Sequence, residues 1–228
     1  MMQLSVQSVD SLLRLASEVS ACRRCPRLVA WRELVALEKR AAFRNEVYWG
    51  RGIPGFGDPH AKVLVLGLAP AAHGGNRTGR VFTGDRSGDW LYRAMHRAGL
   101  ANQSTSISVD DGLSLTGAWV TAAVKCAPPD NKPLPEERAN CNTFLTREME
   151  LLTGVRVVVC LGAFAYQAAC AELAVRPRPK FGHGVEVEAP GGLRLLCSFH
   201  PSQQNTFTGR LTEAMLDNVF SRAVVLSG

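Results

Sequence analysis

Hydrophobic positions recur along this chain in two rhythms. Over residues 8–20, Val9, Leu12, Leu13, Leu15, Ala16 and Val19 fall on one broad face at helical spacing, and Ser8 or Asp10 is the expected cap. A second helix is expected from Pro26 to about Arg40, through Leu28, Val29, Trp31, Leu34, Val35 and Leu37. Proline suits a first helical turn, where its missing N–H would have no partner anyway. Residues 44–60 are so rich in Gly and Pro that they read as a long surface loop. Then the rhythm changes. Residues 62–67 (KVLVLG), 118–124 (AWVTAAV) and 155–161 (VRVVVCL) are short continuous apolar runs, as strands covered on both faces should be. Helices are expected at about 87–98, 135–151, 163–174 and 211–225. Residues 185–188 and 193–199, joined through a Pro-Gly-Gly turn, read as a hairpin-like pair or a strand with an edge addition.

Strands alternating with helices predict an α/β layered domain with a mainly parallel sheet. One such domain accounts for residues 1–228, with the helices at about 8–40 as an N-terminal addition. In such sheets a ligand site lies beyond the carboxyl ends of the strands. Loops 68–84, 125–134 and 200–208 leave those ends and should converge there.

Composition narrows the classes. With 46% hydrophobic and 20% charged residues the chain is neither disordered nor fibrous. No apolar run approaches the roughly twenty residues that span a bilayer. The seven cysteines are an odd number and no signal peptide is expected from the sequence, which argues against a secreted disulfide framework. A soluble, cytoplasmic protein is therefore expected. The net charge of +6 permits a polyanionic partner. It comes from 21 Arg and only 5 Lys. Arg suits phosphate through its planar fork, although codon usage across a genome would give the same bias.

The cysteines divide by surroundings. Cys160, Cys170 and Cys197 sit in apolar strands or helices and read as buried filler. Cys22 and Cys25 have chelate spacing, Cys126 follows a strand end, and Cys141 lies in the helix opened by Pro135. Four thiolates suit zinc or an iron–sulfur cluster, and the spacing alone does not choose between them.

The loops hold the remaining chemistry. The stretch from Gly67 to Asp85 lets backbone approach a ligand closely, yet contains neither a P-loop nor a clean GxGxxG. His200 opens a segment rich in amides and hydroxyls; alone, such a His is most simply a cap or core residue.

In combination, GLAPAAHG, NRTGRVFTGD, VKCAPPDNKP and HPSQQNTFTGRLT, with the four cysteines, resemble the iron–sulfur uracil-DNA glycosylases, nearest to family 5, or type B. The resemblance runs from about Cys22 to the last helix. It implies a three-layer α/β/α sandwich around a mainly parallel four-stranded sheet. It implies a structural [4Fe–4S] cluster on Cys22, Cys25, Cys126 and Cys141, pinning the N-terminal helices to the body. It implies a hydrolase that flips uracil out of DNA and cuts its N-glycosidic bond, acting as a nucleoid-associated monomer. Phe82 matches the stacking aromatic, His200 the donor to the base, and Asp85 and Asn131 the polar groups that position water or balance the sugar's charge. Gly67, Ala69, Ala71 and His73 are the other expected substrate neighbours. Arg77, Arg80, Arg210, Gln203, Gln204 and Asn205 are the expected DNA contacts.

Each assignment has a plainer rival. Asp85 fits an N-cap, Phe82 a core position and Asn131 a turn. Sister classes carry a carboxylate or Asn where this chain has Ala69-Pro70-Ala71-Ala72, and a base-reading Asn where it has Ala122. An apolar pocket reads a base less stringently, so other deaminated bases such as hypoxanthine are expected substrates too. Two rival functions stand beside the hydrolase: a non-catalytic nucleic-acid-binding module with a structural metal, and an electron carrier.

Overall fold

The structure, a computed structural model, describes residues 3–228. Helices α1 (Gln3–Ala21) and α2 (Pro26–Glu38) lead the chain. The first begins earlier than its apolar stripe, so Ser8 and Asp10 lie inside it instead of capping it. The second starts at Pro26, as its sequence predicts. There follow β1 (Phe56–Gly57), β2 (Val63–Gly67), α3 (Gly75–Thr78), α4 (Arg86–Arg97), β3 (Ala118–Ala122), α5 (Pro135–Leu151), β4 (Val157–Leu161), α6 (Ala163–Glu172), β5 (Glu186–Glu188), β6 (Arg194–Ser198), α7 (Gln203–Phe207) and α8 (Glu213–Ser227).

These strands form one sheet of six, in the order β1-β3-β2-β4-β6-β5. The four central strands are parallel; β1 and β5 pair antiparallel at the two edges. The expected four-stranded sheet therefore gains two edges. The strand β1 is only two residues long and sits among Gly and Pro, so no alternation announces it. The pair β5–β6 is the hairpin-like pair of the sequence.

The central strands are apolar throughout because helices cover both faces. Side chains alternate across a strand. Val63 and Val65, Val157 and Val159, and Leu196 pack with Leu91, Tyr92 and Met95 of α4 and Leu216, Val219 and Phe220 of α8. Leu64 and Leu66, Val158 and Cys160, and Leu195 and Cys197 pack the opposite way, onto Leu145 of α5 and Ala165, Tyr166, Ala169 and Cys170 of α6. Three layers result. Cys160, Cys170 and Cys197 are 0% exposed within this core, which accounts for them as small hydrophobes. A third, smaller cluster joins Leu15 and Val19 of α1 and Leu28 of α2 to Val124, Cys126, Cys141 and Phe144.

Candidate active site

Beyond the carboxyl ends of β2, β3 and β6 the three expected loops converge on a cavity of about 560 Å³. That is an ordinary size for a small-molecule site. Its apolar part is Leu68, Ala69, Pro70 and Ala71 after β2, with Ala122 at the end of β3. Phe82 and His200 supply two rings. Asp85, Arg86, Asn131, Ser202, Gln203 and Gln204 complete the lining.

Glycines shape the place of Phe82. A Cβ on Gly67 would come within 2.6 Å of Phe82 Cζ, and one on Gly88 within 1.8 Å of the Phe82 carbonyl. Phe82 itself has φ 51°, a left-handed conformation that costs a bulky residue energy and persists only where its surroundings enforce it. Gly67 is thus the seat of the ring; it does not itself line the cavity.

His200 faces Phe82, with ring centroids 6.0 Å apart and planes 36° from parallel. Its backbone carbonyl accepts from Asn205 Nδ2 at 2.8 Å, and Ser202 Oγ accepts from the Asn205 N–H, so the first turn of α7 clamps the His200 segment. Among the described residues nothing bonds its ring nitrogens. Burial pushes its imidazole down to about 4, so at neutral pH the ring is uncharged, with one N–H donor and one acceptor.

Asp85 caps α4: its Oδ1 accepts from Gly88 N–H at 3.0 Å. The other oxygen, Oδ2, is 2.0 Å from where a Cβ on Gly74 would stand, so a glycine is needed there. Desolvation raises its carboxyl above the usual range, against the pull of the Gly88 and Ser87 amides. The cap and the cavity-lining carboxylate are one residue, so the two readings of Asp85 do not compete. Asn131 reaches the cavity from a 3₁₀ turn in which Asp130 and Asn131 both have positive φ (53° and 55°).

The sequence profile of the uracil DNA glycosylase superfamily matches residues 54–223. Proteins named type-5 uracil-DNA glycosylase are similar over most of the chain. That of Mycobacterium tuberculosis is 53% identical over 221 residues, covering 96% of this chain and 82% of its own. That of Thermus thermophilus is 53% identical over 211 residues, covering 92% and 95%. That of Pyrobaculum aerophilum is 46% identical over 207 residues, covering 91% and 89%. The chain belongs to the type-5 class of the uracil-DNA glycosylase superfamily.

Within this glycosylase fold several expected site residues have other duties. His73 lies off the cavity; its Nδ1 is 3.1 Å from Tyr48 Oη, and its carbonyl accepts from Arg77 Nε. Arg77 is 8% exposed, pairs with Glu46, donates to the Gly84 carbonyl and lies over the Phe43 ring. Arg80 is 4% exposed and grips Asp111 through two contacts of 2.8 Å, with Thr83 and Ser106 taking further N–H groups. Both guanidinium groups are thus turned inward onto loop carbonyls, hydroxyls and carboxylates, and hold loops in place. Asn205 serves His200 in the same internal way. Arg210 is exposed over the Phe199 ring, and Gln203 and Gln204 are exposed at the cavity. Arg86, which the sequence reading passed over, is exposed at the same rim and lies 4.3 Å over the ring of Phe207, itself 67% exposed. The signal was its position directly after Asp85, at the first turn of a helix.

Cys22, Cys25, Cys126 and Cys141 line one small cavity with Leu28, Val29 and Phe144. Cys126 Sγ accepts from Arg32 Nη1 at 2.9 Å, Cys141 Sγ from Lys125 N–H at 3.2 Å, and Cys25 Sγ from Asn140 Nδ2 at 3.7 Å. Burial pushes the Cys141 thiol up to about 12 and raises Cys126 too. As the side chains stand, no group of three or more His, Cys, Asp or Glu among the described residues is arranged to hold a metal ion. Beside this site Lys125 Nζ and Glu148 form a buried ion pair at 2.6 Å, completed by Trp119 Nε1 and Thr121 Oγ1 on the carboxylate.

Proposed function

We propose that this chain is a DNA repair hydrolase that cuts the N-glycosidic bond between uracil and deoxyribose in DNA and leaves an abasic site. The observation that carries this reading is the facing pair of Phe82 and neutral His200 at a cavity of base size, in a chain of this superfamily. A base inside a duplex is out of reach, so the target nucleotide turns out into the cavity. Phe82 stacks on its flat face. His200 donates its N–H to a carbonyl oxygen of the base, where negative charge grows as the bond breaks. Being uncharged, it does so without transferring a proton. Asp85 faces the sugar side, where its carboxylate offsets oxocarbenium charge and orients the attacking water. Arg86 and Arg210 meet phosphates, and Gln203 and Gln204 face the space the base has left.

The apolar lining of Ala69, Pro70, Ala71 and Ala122 supports a broader range. With no polar group there to be left unpaired by the wrong base, hypoxanthine and other deaminated bases are accepted.

A [4Fe–4S] cluster on the four cysteines is supported by their lining one cavity and by three of their sulfurs receiving N–H donors, a kind of hydrogen bond that tunes such clusters. When bound, the cluster supplies iron–thiolate bonds that tie Cys22 and Cys25 to Cys126 and Cys141. It takes no part in excision.

The test is incubation of the protein with duplexes carrying uracil, hypoxanthine or no lesion, followed by counting alkali-labile abasic sites. Abasic sites in the uracil duplex support the hydrolase. Their absence overturns it, and cutting of uracil alone overturns the broader range.

A further inference from the structure

Arg32 of α2 is 1% exposed. Its Nη1 donates to Cys126 Sγ and its Nη2 to the Cys22 carbonyl, each at 2.9 Å, while its Nε has no acceptor among the described residues. Other buried cations have a carboxylate: Arg77 has Glu46, Arg80 has Asp111, Lys125 has Glu148. Among the described residues no carboxylate lies within ion-pair distance of Arg32; the nearby Glu33, whose carboxylate still feels its charge, makes its ion pair with Arg23. A guanidinium does not shed its proton in a protein. An unpaired buried charge costs several kcal/mol. The counter-charge must therefore come from what Arg32 touches, and it touches cysteine sulfur. Neutral thiols do not supply it. Four thiolates around an iron–sulfur core do, because the whole centre is then negative.

We propose that Arg32 is the charge partner of the iron–sulfur centre, retaining it and raising its reduction potential. The proposal rests on the cluster reading above. A fixed positive charge and N–H···S bonds stabilise the reduced, more negative centre over the oxidised one, and both are recognised determinants of cluster potential. Arg32 also meets the Gly-rich loop through its backbone: its carbonyl accepts from Asn76 Nδ2 at 3.1 Å, and Asn76 is a buried residue of α3 in that loop. The residue that holds the centre thus also anchors the loop that shapes the cavity.

The experiment compares the full-length wild type with Arg32→Met, Arg32→Lys and Leu28→Ala. Leu28 lines the same cysteine cavity, so its truncation loosens packing without changing charge. Iron per chain, decay of the visible cluster absorbance under a chelator, and reduction potential by spectroelectrochemistry are measured. In Arg32→Met the colour decays about tenfold faster, since hydrogen bonds to charged groups are worth about one decade or more in an equilibrium. Its potential falls, Arg32→Lys lies between, and Leu28→Ala keeps the wild-type potential. If Arg32→Met loses the cluster outright, the potential of Arg32→Lys decides. Wild-type potential and decay in both Arg32 variants overturn the role of Arg32, as does an equal potential shift in Leu28→Ala. A wild type purified without iron overturns the cluster reading itself, and this role with it.

Discussion

The cysteine site and the excision cavity are neighbours built in opposite ways. Both draw on the end of β3 and the segment after it: Cys126 lines the first and Ala122 the second. At the cysteine site polar hydrogens are turned inward onto sulfur, from Arg32, Lys125 and Asn140, and a saturated ion pair backs them. At the cavity the polar tips are left open: the His200 ring has no bonding partner among the described residues, and Gln203 and Gln204 are exposed. Saturated polar groups hold a structure; open ones wait for a substrate. The arginines repeat the contrast, with Arg77 and Arg80 locked inside and Arg86 and Arg210 at the rim.

The contrast is sharpest at Asp85, which caps α4 with one oxygen and also lines the cavity. Asn caps a helix as well as Asp does, so Asp85→Asn keeps α4 and its melting temperature while losing about 10²–10⁴ in single-turnover excision rate, the usual range for a positioned acid–base group. Equal losses of rate and stability would reduce Asp85 to a cap. Because desolvation raises its carboxyl, the acid limb of the wild-type rate profile should lie above the ordinary Asp range and vanish in Asp85→Asn.

A second break is Gly67→Ala. Its Cβ collides with the Phe82 ring, so destabilisation of about 1–3 kcal/mol is expected. Excision should fall beyond what the folded fraction explains, read by chemical denaturation and single-turnover rate together.

The smallest effects separate the arginines. Arg86→Ala should lower the slope of log affinity against log salt by about 1, the loss of one phosphate contact. Arg80→Ala should leave the slope unchanged and lower the melting temperature, because an unpaired Asp111 remains behind. A salt slope that moves with Arg80 would return it to the interface.

Much of this was legible in the sequence because its signals are local. Apolar runs of strand length marked three of the four parallel strands, the paired segment at 193–199 the fourth, and Pro135 with its acidic neighbours marked α5 to the residue. The convergence of three loops followed from the α/β order alone. The rest was lost where the deciding partner lies far along the chain. Arg80 reads like Arg210 until Asp111, distant in sequence, is seen to hold it. His73 reads as a ligand group until Tyr48 meets its ring. The strand β1 depends on pairing with β3, and no pattern of its own announces it.

His200 carries the central claim, that a neutral histidine donor opposite Phe82 drives excision. The direct measurement is single-turnover excision of uracil by wild type and His200→Ala across pH 5 to 9, on protein shown to be folded. Removing one such donor should cost about 10²–10³ in rate. The wild-type profile should show no inflection near 6.5, because burial holds this imidazole at about 4. The same shift has a stability consequence: the unfolded chain takes up the proton first as pH falls, so stability declines from about pH 6.5 towards 4. A His200→Ala variant as fast as wild type, or a wild-type rate that titrates near 6.5 and loses that step with His200, would contradict the account.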